Sequence, residues 1–195
     1  MSRHTRLRPG ELDEAQQALY DSITGGRRAA GPQLFRLTED DGSLTGPFSA
    51  LLLVPAIGRH VSRLGEAIRF ESSLDGRTRE IATLAVAAHW KSDFEQYAHE
   101  PLARRAGLDE QTIARIREPE SCGALDDPAD DAVHQLARRA VSATMDDATW
   151  ENAVAVLGEA AAVEVLVLVG YYTQLAIILD ALAIGLPTNA AGPAR

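Results

Sequence analysis

"EIATLAVAAHWKSDFEQYAHEPLARRAGL", residues Glu80–Leu108, decides the fold. Its first half is alanine and aliphatic residues, with Ile81, Leu84, Ala85 and Ala88 on one helical face. Ser92 or Asp93 can cap a second helix, and Gly107 stops it in the left-handed conformation that glycine tolerates best. Two helices joined near Lys91 follow. Four polar residues interrupt this apolar pattern: Glu80, Ser92, Glu95 and His99. At about 100° per residue, Ser92, Glu95 and His99 project at roughly 0°, 300° and 340°, within one narrow arc. Glu80 lies about ten residues before the turn and His99 about eight after it, so an antiparallel hairpin brings them to similar depth. The spacing predicts two carboxylates and an imidazole meeting between the helices.

The same grammar extends in both directions. Leu12, Ala15, Leu19 and Ile23 mark a helix that Gly25-Gly26 ends, followed by a loop with turns at Asp41-Gly42 and Gly46-Pro47. Phe48 to Val54 reads as a short helix, and Pro55 to Phe70 as a longer one with a stripe of Ile57, Val61, Leu64 and Ile68. Ser73 or Asp75 can cap the next helix, and Asp109, Asp127 (before Pro128) and Asp146 mark three further starts. A last apolar helix spans about Gly158 to Ala183. Sustained strand alternation is missing. The expected architecture is all-α: an N-terminal helix and extended loop over 1–45 wrapping a helical domain over 46–187, with a frayed tail over 188–195.

Composition narrows the partners. The 195 residues carry 28 acidic and 19 basic side chains, a net charge of -9, which disfavours nucleic acid and anionic membrane surfaces. A small acidic ligand is compatible, because one local arginine can pair with a carboxylate inside an acidic protein. The single cysteine, Cys122, permits no intrachain disulfide and no CxxC pair, and no His or Lys beside it activates its thiol. The amino terminus has no apolar signal region, and the long apolar stretch Ala160 to Leu186 is broken by Glu164, Gln174 and Asp180. These features predict a cytoplasmic protein whose last helix is core or subunit interface.

Arg79-Glu80, "LAVAAHW" and "FEQYAHEPLARRAGL" resemble the carboxymuconolactone decarboxylase family. "GPFSALLLVPAIG", "LGEAIRFESSLDGRTREIA" and "VGYYTQLAIILDALAIGLP" resemble its longer members, and the likeness runs from Leu44 to Pro187. The related alkylhydroperoxidase (AhpD-like) branch has Glu-x11-Cys-x2-Cys-x3-His, and the corresponding residues are Glu80, Ser92, Glu95 and His99. Both thiols are replaced, so a dithiol peroxidase cycle has no reactants. The resemblance implies an AhpD-like helical bundle, a homo-oligomer (trimer or hexamer), and a decarboxylase that needs no cofactor, because a conjugated lactone carbonyl can itself accept the electrons that CO2 leaves behind.

On that reading His99 carries the proton, since its ordinary pKa of about 6.5 suits exchange near neutrality. Glu95, one turn earlier, orients the ring or raises its pKa, and Glu80 serves as acid or base once desolvated. Which glutamate faces the ligand stays open. Arg79 or Arg69 can hold a substrate carboxylate, and Trp90, His89, Tyr171 and Tyr172 are candidates to line the pocket. Tyr97 projects to another surface. His60 and His134 sit on solvated-looking helix faces, and His4 in a loose terminus. A metal site is not expected, since the helix pair offers one histidine and the chain has no HExxH motif. Three functions are compatible: a decarboxylase acting on a small unsaturated carboxylated lactone or related acid; an isomerase, cyclase or hydrolase using the same acid–base groups; or a non-catalytic helical binding protein.

Overall fold

The computed structural model describes residues 3–27, 30, 34–118, 123–188 and 190. Cys122 lies outside the described residues. Nine α-helices account for most of them: α1 (Glu14–Gly25), α2 (Gly46–Leu51), α3 (Pro55–Phe70), α4 (Gly76–His89), α5 (Asp93–Arg105), α6 (Glu110–Arg117), α7 (Pro128–Val141), α8 (Asp147–Leu157) and α9 (Glu159–Ala181). One isolated bridge between Thr38 and Leu44 is the only β pairing among the described residues. The all-α fold expected from the sequence is therefore the fold observed.

The starts form where side chains satisfy orphaned backbone donors. Asp75, rather than Ser73, caps α4 by accepting from the Thr78 amide, and Ser92 caps α5 from the Glu95 amide. Asp109, Asp127 and Asp146 cap α6, α7 and α8 in the same way. The α4–α5 turn passes through Lys91 at φ 50°, and Gly107 ends α5 at φ 89°.

α4 is the central rod. It packs against α5, α6, α7 and α9, and every residue from Glu80 to Ala88 is buried. A helix surrounded on all sides must be apolar on all sides, which is why it is rich in alanine and has no single wet face. Two ionic pins hold its neighbours in register. Arg77 at its start forks onto Asp130 of α7, Nε to Oδ1 at 2.8 Å and Nη2 to Oδ2 at 2.5 Å, and also donates to the Gly107 carbonyl at 2.6 Å. Glu100 of α5, 4% exposed, pairs with Arg104 and with Arg117 of α6.

α3 departs from its expected stripe. Val61 and Ile68 face inward, but Ile57 is 63% exposed and Leu64 40%. The inner face is centred instead on Gly58, Ser62 and Gly65, which let the backbone approach closely. A Cβ on Gly58 would lie 2.6 Å from the Leu51 carbonyl oxygen of α2. α9 has the length and composition of a membrane span, yet its Ala162, Val165 and Leu168 are fully buried in the bundle. Its other face leaves Val163, Val167 and Ile177 exposed.

The N-terminal segment is fastened to the helices. α1 packs on α3, and Leu19 and Ile23 enter the core. His4, expected in a loose terminus, places Nε2 2.9 Å from Ser49 Oγ of α2. Gly46 turns at φ 57° with the Phe94 ring lying where a side chain would be.

His134 corrects the sequence reading. It is fully buried on the face of α7 that packs into the core, rather than on a wet face, and neither ring nitrogen has a hydrogen-bond partner. Burial first, then the Arg138 charge, drives its pKa down from 6.5 to about 4. The unfolded chain therefore binds the extra proton between these values, and stability falls as pH drops through that window, by at most about 3 kcal/mol. Urea unfolding of His134→Leu from pH 7 to pH 4 is expected to lose less stability than the parent; equal losses would show that His134 contributes nothing to the acid sensitivity.

Candidate active site

Glu80 is one turn into α4, where the helix passes beneath α9 and beside α5. His99 is in the second turn of α5, and the hairpin brings it opposite. Its Nδ1 lies 2.7 Å from Glu80 Oε2, and its Nε2 lies 3.5 Å from Glu95 Oε2, one turn back along α5. The imidazole thus stands between two carboxylates. Their side chains are 12% (Glu80), 12% (His99) and 3% (Glu95) exposed.

These groups line a small cavity of about 60 Å³. Its walls are apolar and aromatic, with Phe35, Phe48, Phe94, Leu168, Tyr171 and Leu175 prominent, while Arg69 and Arg79 supply positive charge. Tyr172 comes in from α9. Its ring meets His99 edge-on, with centroids 5.0 Å apart at 85°, and meets Tyr171 similarly at 5.1 Å. The Tyr172 hydroxyl hydrogen-bonds Thr83, and burial holds its pKa well above the ordinary 10, so it stays protonated.

The electrostatics are those of a sealed acid–base cluster. Burial is the largest influence on His99 and lowers its pKa, but the Glu80 charge and hydrogen bond, with the Glu95 charge, outweigh it and leave the pKa raised. Arg69 opposes that rise, so its charge is felt at the ring. Burial pushes the Glu95 carboxyl up to about 7; the His99 charge works against this and the Glu80 charge adds to it. Glu95 Oε1 is sealed from solvent and has no hydrogen-bond partner in the protein. Both His99 nitrogens are turned to carboxylates, and among the described residues no group of three or more His, Cys, Asp or Glu side chains is arranged to hold a metal ion.

The structure brings together Glu80, Glu95, His99, Arg69, Arg79 and Tyr171 around this cavity. It does not bring His89 or Trp90 there. Nine residues after Glu80, His89 points about 180° away and lies about 13 Å further along the helix. It is exposed and borders a separate groove with Arg117 and Arg138. Trp90 packs against the main core. Tyr97 also faces elsewhere, accepting a hydrogen bond from the Arg36 amide at 3.2 Å. Phe94 and Thr83 read locally as ordinary core and Phe35 as a loop residue, so no local pattern marks any of the three for the site.

Residues 55–138 match the carboxymuconolactone decarboxylase family. No curated protein sequence matches significantly. Among solved structures, the apo form of the debrominase Bmp8 is similar at a TM-score of 0.70 and 12% identity, covering 94% of this chain and 91% of that one. A cysteine-to-alanine variant of the same debrominase in complex with 2,3,4-tribromopyrrole gives a TM-score of 0.71 at 12% identity, covering 96% and 95%. At that identity the likeness establishes the AhpD-like fold alone.

The raised His99 pKa has a sign that can be tested. The ion pair contributes fully below 6.5 and is lost as pH rises through the raised value. Replacing Glu80 with Gln is expected to move the His99 titration, followed by imidazole proton NMR, to lower pH; an unmoved midpoint would show that the two groups are not coupled.

Proposed function

From a carboxymuconolactone decarboxylase family domain whose hairpin buries a Glu–His–Glu cluster, we propose a cofactor-independent acid–base lyase that decarboxylates a small, unsaturated, carboxylated lactone or related acid. The observation that carries the reading is His99 held between Glu80 and Glu95 on the floor of an aromatic cavity. Loss of CO2 breaks one carbon–carbon bond, and its electron pair passes into the conjugated carbonyl to give a dienolate. The protein then has two tasks: to hold the anion and to return one proton to carbon.

Arg69 and Arg79 suit the first task. They supply the positive charge that a small carboxylate would meet on entering, and guanidinium forks match carboxylate geometry. The aromatic walls suit a flat, unsaturated body and exclude water, which strengthens every charge interaction inside. The buried cluster suits the second task. An isomerase, cyclase or hydrolase working through the same groups is the alternative, and it differs in releasing no CO2. We also propose that the chain assembles as a homo-oligomer through the exposed Val163, Val167 and Ile177 stripe of α9.

Incubation with a panel of carboxylated lactones is expected to release CO2. His99→Ala should lower kcat by about 10²–10⁴-fold, and Arg69→Gln should mainly raise KM. Rearrangement or proton exchange without CO2 would replace decarboxylation by the alternative; no turnover or binding across the panel would remove both. Sedimentation is expected to show more than one copy per particle, and a stable monomer would contradict the assembly.

A further inference from the structure

The cavity is too small, as it stands, for the ligand proposed for it. Its volume of about 60 Å³ suits waters, at roughly 30 Å³ each, whereas sites for small organic molecules run to about 300–1,000 Å³. A carboxylated lactone therefore enters only if part of the wall gives way. Most of the wall is fixed. Every lining residue but one sits on a helix, α2, α3, α4, α5 or α9. α4 cannot move away there without exposing the run from Glu80 to Ala88, which is buried throughout. Phe35 alone comes from an irregular stretch of chain.

Phe35 is also a partition. It is half-buried and packs against both hydrophobic clusters, the main core and the smaller group that holds Phe94 and Ala98. The same side chain that lines the cavity also lines a hollow of about 530 Å³, shared with Thr24, Leu37 and Tyr97. One residue later the chain is tied down. The Arg36 amide donates to the Tyr97 hydroxyl at 3.2 Å, and the Arg36 carbonyl accepts from Thr45 Oγ1 at 2.5 Å. The backbone beside Phe35 is thus held, while the ring has open space to turn into.

Resting on the decarboxylase reading above, we infer that Phe35 is the size gate of the cavity and sets which acids reach His99. As placed, the ring completes the wall and confines the space beside the imidazole. Turned about its side-chain bonds into the hollow beside Tyr97, it joins the two spaces, and together they reach the size of an ordinary small-molecule site. The inference constrains the substrate. A small flat acid lets the ring swing back and exclude water, which strengthens the charge interactions inside. A bulkier acid holds the ring out and leaves the cluster wet.

Diethyl pyrocarbonate, an imidazole reagent comparable in size to a small lactone acid, tests this on the full chain without any substrate. Carbethoxylation of His99 is followed by peptide mass, with the exposed His60 as internal reference, and across a range of pH so that a shifted His99 titration is not mistaken for access. Relative to His60, His99 is expected to react several-fold faster in Phe35→Ala and several-fold slower in Phe35→Trp. Phe35→Leu, which keeps most of the apolar contact, is expected to fall between the parent and Phe35→Ala, and it guards against a loss of fold in the smaller variant. Equal relative rates in the parent, Phe35→Leu and Phe35→Trp would overturn the gate and leave the decarboxylase reading standing. The expected order of rates with no CO2 release from any acid would remove the reaction and not the gate. With a series of turned-over acids, Phe35→Ala should raise kcat/KM for the bulkier members relative to the smallest, and Phe35→Trp should do the reverse; an unchanged ratio across the series would overturn the size role.

Discussion

A helix enclosed on every side has nowhere to place a charge except against another charge. α4 is such a helix, and Glu80 is its one carboxylate within the buried run. The cost of burying that group is offset by His99, which reaches it from α5 at 2.7 Å. Everything near the cavity follows from this constraint. The hairpin turn at Lys91 must put His99 at the depth of Glu80, α9 must leave room for Tyr172 beside the ring, and Arg77 and Glu100 must hold the flanking helices so that the depth does not drift. The ionic pins and the buried Glu–His–Glu cluster are parts of one mechanical arrangement, since a shift of one helical residue along α5 would rotate His99 by about 100° and break the pair.

The cluster was legible in the sequence because its members obey local rules. Glu95 and His99 are one turn apart on one helix, and Glu80 is matched to them by distance from a recognisable turn. The caps were legible for the same reason, each being a short polar side chain before an apolar run. What was hidden depends on contacts distant in sequence. Tyr171 and Tyr172 are both pocket candidates from the sequence, but that Tyr172 is the one to meet the His99 ring, from a helix more than seventy residues away, is set by packing that no local pattern encodes. His134 sits among charged residues in the sequence, yet α7 turns it inward; a single helix face is ambiguous when acidic and basic residues flank it on both sides. His89 and Trp90 are near the site in sequence, whereas helical geometry sends His89 to the other side of α4 and carries Trp90 about 15 Å along its axis from Glu80. On α3, glycine and serine took the inner face because close approach to α2 mattered more there than apolar area.

The site balances opposing demands on ionisation. Burial alone would strip the charge from His99 and keep Glu95 neutral. The Glu80 charge and hydrogen bond push the His99 pKa back up, and the same charge adds to the rise at Glu95. Two carboxylates of the same chemical type thus sit in different surroundings: Glu80 shares a hydrogen bond with the ring, and Glu95 has an oxygen with no partner. Where the alkylhydroperoxidase branch that the sequence resembles has a second thiol, this chain has Glu95, a carboxyl buried beside the ring.

One wall of the cavity comes from outside the helical bundle. Phe35 belongs to the stretch leading into α2 and Pro47 to the first turn of α2, and Gly46 lets that turn settle on the Phe94 ring, itself part of the chamber. His4 clasps the same short helix at Ser49. The leading arm is thus a door panel as well as a strap. A homologue with a shorter or differently anchored arm could keep its buried Glu–His–Glu cluster intact and still present a wider chamber, so the shape of the cavity in this architecture can change at the amino-terminal end without disturbing the cluster.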